Sequence, residues 1–261
     1  MQLGDIQETM LIPVVIKASE TQKKCPKIVD SKAVEIVEKL AIDSEKFDKP
    51  MSHHGVVART VLFDAEVINL LKIYPEAQCI NLGCGLDNRF QRVDNGRVRW
   101  WNVDLPDAMA VRRQFFSDSA REKNIVGSAL ETDWLHLIPS DGVTIIIIEG
   151  VLMYFSEEEV KKMLHQLIGH FKKLILVVEL MHPAVAKQGR RHETVKHTKA
   201  NFQWGVVDGR EVAHYHPELV FVKEESFNKE MKKYNLGTWL FGTLPFLKKL
   251  NNRLAVYRTP F

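Results

Sequence analysis

The sequence predicts an α/β protein built on an open, mostly parallel sheet of seven strands. Three observations carry this. An apolar segment, residues 79–82, runs straight into Gly83-Cys84-Gly85 and then a helix-compatible stretch. A second strand, residues 98–103, ends at Asp104, 21 residues after Gly83. Residues 143–148 form an unbroken β-branched run, the pattern of a central strand buried on both faces. A glycine turn between strand and helix is how open α/β sheets hold nucleotide-like ligands. An acid about 20 residues further on is placed to accept both hydroxyls of a ribose.

The elements follow in order. Residues 1–50 precede the first strand. MLIPVVIKASE has an apolar helical face interrupted by Pro13, and Asp30 can cap a second helix whose face carries Ala33, Ile36, Val37 and Leu40. His53 to Arg59 lead into a helix ending near Tyr74-Pro75, with Arg59 near its start. A helix from about Asp87 carries Arg89 and Phe90, and Leu105-Pro106 opens the next. Residues 124–126 make a short third strand before GSALETDWL. Ser156 and Glu159 stand at capping-box spacing ahead of a clear amphipathic helix. Residues 174–178 form another strand, ending at Glu179. From residue 181 to 217 the apolar periodicity gives way to charges, histidines and glycines. That is too long for a plain connection, so it reads as an inserted lid segment. Two late strands, residues 219–224 and 254–257, complete the seven. The whole is one domain, with residues 1–50 as a helical cover.

Composition narrows the function. Of 261 residues, 45% are apolar and 26% charged, as in ordinary globular proteins. A net charge of +3, with no basic tract interleaved with aromatics, gives no reason to expect a nucleic-acid partner. The longest apolar run is far too short to span a bilayer, so no membrane partner is expected. The N-terminus lacks a basic region followed by an apolar core, so no secretory signal is evident. Cys25, Cys79 and Cys84 are odd in number and lack metal-ligand spacing. No metal and a reduced, cytoplasmic setting are the expectation.

Two ligand classes fit the glycine turn. A dinucleotide site wants a third glycine for close helix–strand packing, and Asn88 stands there instead. S-adenosylmethionine has a ribose but no pyrophosphate, and fits as well or better. Glu149 directly follows the central strand and points into the crevice where such folds bind ligands. Arg59 reads either as a solvated or surface-paired arginine or as a clamp on a ligand carboxylate. Asp133 could contact an adenine amino group, although a turn or capping carboxylate is the commoner role.

INLGCGLDNRF, VRWWNVDLPDAMAVRR, GSALETDWL and IIIEGVLMYFSEEEV together resemble the leucine carboxyl methyltransferase family, and more nearly its bacterial, polyketide-modifying branch. TMLIPVVIKASE, DSKAVEIVEKL, HHGVVART and NFQWGVVDGREVAHYHPEL resemble that branch too, so the likeness runs from about residue 8 to 217. From Phe221 on, the chain matches no motif of the family. The resemblance implies a class I S-adenosylmethionine-dependent methyltransferase: a Rossmann-like seven-stranded sheet with one antiparallel strand, under a helical lid. It implies that Arg59 pairs with the methionyl carboxylate of the cofactor. Gly83 and Gly85 would line the methionine moiety, and Asp104 would hold the ribose. Leu130 and the residues after it, including Asp133, would flank adenine, and Glu149 would sit beside the methionyl amino group. Asn81 departs from the acid found there in most class I enzymes, a change the family tolerates.

The expected reaction is O-methylation of a small, polyketide-like acceptor through a carboxylate or a hydroxyl. A carboxylate is ionised at neutral pH and needs no base. A hydroxyl needs one; His53, His54, His182, His214 and His216 are available, with His53 and His54 the first candidates, although a surface or hydrogen-bonded histidine is the commoner role for each. Two rivals stand beside this. One is a protein C-terminal carboxyl methyltransferase, against which the bacterial-type N-terminus argues. The other is a catalytically silent, cofactor-binding regulatory protein.

Overall fold

Seven strands form one sheet in the order β3-β2-β1-β4-β5-β7-β6. They are β1 (Gln78–Leu82), β2 (Arg99–Asp104), β3 (Glu122–Val126), β4 (Val143–Ile148), β5 (Lys173–Leu180), β6 (Val220–Ser226) and β7 (Arg253–Arg258). The structure is a computed structural model and describes residues 7–186, 202–234, 236–244 and 249–261. Strands β1 to β5 pair in parallel. β7 alone runs the other way, antiparallel to both β5 and β6. The seven-stranded, mixed sheet with one antiparallel strand is the architecture read from the sequence.

The helices are α1 (Leu11–Thr21), α2 (Ser31–Lys39), α3 (Ser44–Phe47), α4 (Pro50–Ile73), α5 (Arg89–Val93), α6 (Pro106–Arg112), α7 (Glu157–His170), α8 (Pro183–Ala186), α9 (Arg210–Ala213), α10 (Asn228–Met231) and α11 (Leu236–Thr243). The β-branched run of β4 explains the layering. Ile146 and Ile148 face one core, with Val160, Met163, Leu164 and Leu167 of α7. Ile145 and Ile147 face the other, with Phe63, Val67, Leu70 and Leu71 of α4. Each β4 isoleucine is wholly buried. A strand covered on both faces has no polar side to present, so its sequence does not alternate. Ser156 and Glu159 form the capping box at the start of α7.

The structure corrects three local readings. Pro13 does not interrupt the first helix; it lies in the first turn of α1, where its missing N–H has no intrahelical acceptor anyway. α4 begins at Pro50, so Arg59 lies in its interior rather than near its start. Proline at the first helical position explains the early start. β5 extends to Leu180, so Glu179 belongs to the strand rather than to its exit. α1 packs through Val14 and Ala18 on Ala33 and Ile36 of α2 and on Leu86 and Val111. Its other side, Ile12, Val15 and Ile16, meets Val57 of α4 and Phe47. The N-terminal helices therefore sit over the end of the sheet where the glycine turn lies. Within the segment 181–217, residues 187–201 fall outside the described residues. Its described parts are tied down by Val206 N–H donating to the Met181 carbonyl (2.9 Å) and Gln203 N–H to that of Met153 (2.7 Å).

Candidate functional site

The strand order reverses between β1 and β4, and a cavity of about 680 Å³ opens at the carboxyl ends of these strands. Crevices at such reversals are where open α/β sheets bind ligands. The volume falls within the span of ligand-sized pockets, about 300–1,000 Å³.

The glycine turn forms one wall. Gly83 and Gly85 hold φ of +71° and +48°, in the left-handed region. Gly83 N–H donates to the Val103 carbonyl at 2.8 Å, so the turn is stitched to β2. A Cβ on Gly83 would stand 2.3 Å from a Val151 methyl carbon, so no larger residue fits this cradle. Asp104 ends β2 at the rim. One carboxyl oxygen accepts from Gly85 N–H (2.6 Å) and the other from Leu105 N–H (2.8 Å). Each oxygen keeps further acceptor capacity toward the cavity. Burial pushes the Asp104 carboxyl up from its usual range, and those two N–H groups offset this only in part.

A belt of charges crosses the floor. Arg59 pairs with Glu149 at 2.7 Å and donates to Glu179 at 3.1 Å. Arg89 also reaches Glu149, and donates to Asp64 at 2.7 Å. Arg92 binds Asp30, Asp64 and Asp87, and Lys17 of α1 donates to Asp87 at 2.6 Å. Of these, Lys17, Arg59 and Arg89 line the cavity with Asp87, Glu149 and Glu179, and Asp104 leaves a formal excess of one negative charge there. Burial opposes ionisation throughout, yet the arginines outweigh it at some groups. Arg89, Lys17 and Arg92 hold Asp87 well below the usual carboxylate range, and Arg89 and Arg59 hold Glu149 below it. Glu179 goes the other way. Burial raises it and the neighbouring Glu149 charge adds to the rise, with Arg59 alone among the arginines in opposition. Glu179 also accepts from Gly150 N–H (2.8 Å) and from Asn252 (2.7 Å). The belt is an acid-rich site suited to a cationic ligand that also carries a carboxylate.

The structure brings Arg59, Gly83, Gly85, Asp104 and Glu149 to one cavity. It does not bring Leu130 or Asp133 there. Gly127, Ser128 and Ala129 form that part of the wall. The reason is Trp134. Its ring packs against Gly127, where a Cβ would stand 2.7 Å away, and its indole N–H donates to the Ser128 carbonyl. With Trp134 turned inward, Asp133 faces solvent and Leu130 packs on the sheet core. Nor do His53 and His54 line the cavity; Met51, Ser52, Gly55 and Val56 of the same helix do. His53 is buried with Nδ1 on Asp48 (2.7 Å) and Nε2 between Glu20 (2.9 Å) and Lys23 (2.6 Å). His54 stacks on Tyr234, and burial lowers its pKa. Both readings of a histidine base at the site fail on position.

Among the lining residues that escaped the sequence reading of the site are Arg89, Asp87, Glu179, Lys17 and Tyr154. Asp87 sits inside the quoted glycine motif, and Glu179 follows the apolar run 174–178 in sequence much as Glu149 follows 143–148, so both carried a usable signal. Lys17 and Tyr154 also lie inside quoted motifs, TMLIPVVIKASE and IIIEGVLMYFSEEEV, but nothing local turns either toward a ligand. The Tyr154 phenol hydrogen-bonds with Thr9 of the N-terminal segment, and burial raises its pKa. The rest of the cavity is mostly apolar, with Met10, Met51, Met153, Met181, Phe155 and Phe202 prominent and Ser52, Asn81, Asn251 and Asn252 set among them.

Residues 12–168 match the family model described as leucine carboxyl methyltransferase. The chain belongs to the leucine carboxyl methyltransferase family. It is an S-adenosylmethionine-dependent methyltransferase, with the fold of such enzymes. Tetracenomycin polyketide synthesis O-methyltransferase TcmP of Streptomyces glaucescens is 25% identical over 228 residues, covering 87% of this chain and 84% of TcmP. S-adenosyl-L-methionine-dependent methyltransferase dpfgK of Gibberella zeae is 22% identical over 266 residues, covering 93% and 89%. Among solved structures, a candidate methyltransferase from Thermobifida fusca aligns with a TM-score of 0.65 at 13% identity, over 95% of this chain and 94% of its own. Magnesium protoporphyrin IX methyltransferase from Synechocystis aligns with a TM-score of 0.53 at 9% identity, over 88% and 95%.

Proposed function

We propose that this family member methylates an oxygen of a small, polyketide-like acceptor, and that the oxygen belongs to a carboxylate. S-adenosylmethionine supplies the methyl group, made electrophilic by its sulfonium. Asp104 takes the ribose hydroxyls on its two free acceptor directions. Arg59 takes the methionyl carboxylate, and Glu149 and Glu179 lie beside the methionyl ammonium. The acid excess of the belt complements the net positive charge of this ligand. The closed cradle at Gly83 lets backbone approach the methionine chain, as Val151 leaves no room for a side chain. Gly127, Ser128 and Ala129 flank the adenine, in place of Leu130 and Asp133.

The observation that carries the carboxylate reading is the position of the histidines. Among the described residues, no histidine lines the cavity. A hydroxyl acceptor at neutral pH wants a base, whereas a carboxylate arrives ionised. What remains for the protein is alignment and dehydration of the nucleophile. Positioning alone can supply roughly 7–11 kcal/mol of the barrier reduction. The apolar wall of methionines and phenylalanines suits a flat, hydrophobic acceptor, and polarizable methionines adapt to irregular shapes. The parts of residues 1–50 and 181–217 that line this wall, Met10 and Phe202 among them, form the lid.

The deciding experiment incubates the enzyme with labelled S-adenosylmethionine and a panel of polyketide acids and phenols. A methyl ester releases volatile methanol under mild base. A base-stable methyl ether, with activity falling below a pKa near that of histidine, would overturn the carboxylate reading.

A further inference from the structure

α11 presents an apolar face to solvent. Leu236, Trp239 and Leu240 are 71%, 48% and 43% exposed, and Leu244, just past the helix end, is 47% exposed. Their spacing of three, four and eight residues places them on one side of the helix. The opposite side is fixed. Gly242 lies so close to α10 that a Cβ there would stand 2.8 Å from Lys232 Cγ and 3.4 Å from Asn228 Cβ. The apolar face therefore stays turned outward. Contiguous apolar surface of this kind marks an interaction site.

The charges beside it select the partner. From residue 229 to 250 the sequence holds five lysines and one carboxylate; Lys229 and Lys233 are paired with Glu225 and Glu230, so the charge offered to a partner comes from the others. Lys232 and Lys249, on either side of the helix, are exposed. A second copy of the chain is a poor occupant, because a two-fold contact sets the same patch against itself. Lysines would then face lysines, at a cost. A short helix with leucines and a tryptophan on one side and lysines around it is the pattern of an element lying in a membrane interface. We propose that α11 docks this protein on an anionic membrane surface. Peripheral docking needs no spanning segment, and none of the described helices is long and apolar enough to cross a membrane. The expectation of no membrane partner rested on the lack of a spanning run, which does not bear on peripheral docking.

The chain leaves the cavity wall at Met231, forms α11, and returns to the wall at Leu250. A hydrophobic acceptor dissolved in the bilayer would thus reach the cavity close to the docked face. That last point rests on the proposed function; the docking itself does not.

The test uses the intact protein with vesicles of phosphatidylcholine alone or doped with phosphatidylglycerol, and reads binding rather than turnover. Four tryptophans, Trp100, Trp101, Trp134 and Trp204, are buried, so Trp239 dominates any change in accessibility. The expected result is co-sedimentation with the anionic vesicles at low salt, with a blue shift and protection of tryptophan emission from acrylamide. Lys249→Gln should weaken partition roughly fivefold, the effect of about 1 kcal/mol per lysine near an anionic surface, and Lys232→Gln less, because its stem lies against Gly242 on the far side of the helix. Trp239→Ser with Leu240→Ser should weaken it roughly tenfold or more. The wild-type spectra stand as evidence even if that double variant fails to fold. No binding to anionic vesicles at low salt would overturn the proposal. So would sedimentation without any change in tryptophan emission. Concentration-dependent dimerisation abolished by Trp239→Ser would assign the face to a second copy instead.

Discussion

Arg59 stands between two acids that titrate in opposite directions, and that decides how it is tested. Glu149 answers to both Arg59 and Arg89, whereas among the arginines Glu179 answers to Arg59 alone. Arg59→Ala therefore leaves two buried carboxylates facing each other. We expect it to cost about 3–5 kcal/mol of stability in urea unfolding, as removal of one partner of a buried pair does. Asp104→Asn is the cleaner probe of cofactor binding. It keeps the shape of the rim and should lower S-adenosylhomocysteine affinity by about 1.5–3 kcal/mol in calorimetry; its NH2 cannot accept from Gly85 or Leu105 N–H, so about 1–3 kcal/mol of stability should go with it. Asp104 and Glu179 also make binding depend on pH. Their pKa values in the folded protein lie above the ordinary carboxylate value, so the folded state holds their protons more tightly. The stability from this source is present in acid and lost as pH rises through the ordinary and then the raised values. A cationic ligand lowers those pKa values again, so its binding releases protons and tightens as pH rises from about 4 toward neutrality. Calorimetry of S-adenosylmethionine in buffers of different ionisation enthalpy should show that release; heats independent of buffer would refute it. The thiols give a simpler check. Cys25 is exposed, while burial raises Cys79 and Cys84, so a thiol reagent should modify one cysteine quickly in native protein and all three after unfolding. The sequence showed Arg59, Asp104 and Glu149 as candidates because each stands at a strand end or beside a motif. It could not show what holds them, since Arg59 and Glu179 lie 120 residues apart in the chain.

At the scale of single elements, legibility followed burial. β4 was readable to the residue because both its faces are covered, and α7 because its cap is a local motif. The start of α4 was not, since His53 is fixed by Asp48 and Glu20, the latter 33 residues earlier in the chain. The cavity wall after β3 lies a few residues before the expected Leu130 and Asp133 for a reason that lies in packing. Trp134 turns inward only because Gly127 leaves it space, and nothing in GSALETDWL announces which side chain goes in. Ser156→Ala removes the α7 cap and should cost about 1 kcal/mol in chemical denaturation, with cofactor affinity unchanged. Gly83→Ala should do the reverse of that separation. Its Cβ collides with Val151 in the cradle, and positive φ adds strain, so cofactor affinity should fall along with stability.

For the whole molecule, the N-terminal helices are joined to the cavity floor by an ion pair rather than by apolar contact alone. Lys17 on α1 meets Asp87 beside the glycine turn. Asp87 has its pKa depressed, so the stabilisation it lends is complete above the ordinary carboxylate value of about 4 and is lost as pH falls through the depressed one. Hydrogen exchange should therefore show α1 and α2 loosening in acid before the sheet does. At neutral pH, cofactor with acceptor should slow exchange around Thr9 and Met10 together with residues 202–206. Protection confined to the glycine turn would count against a shared lid. The order of the strands has a consequence of its own for how the protein is made. β7 fills the gap between β5 and β6, yet it is the last strand to leave the ribosome, some 73 residues after β5 ends (253 − 180). Until it arrives, β5 is an open edge of almost wholly apolar sequence, the kind of edge that recruits strands from other chains. A nascent chain stalled before residue 253 would be sticky along the very strand that carries Glu179. Expression yield should then depend more on chaperone supply and on the integrity of residues 253–258 than on any change at the catalytic end of the sheet.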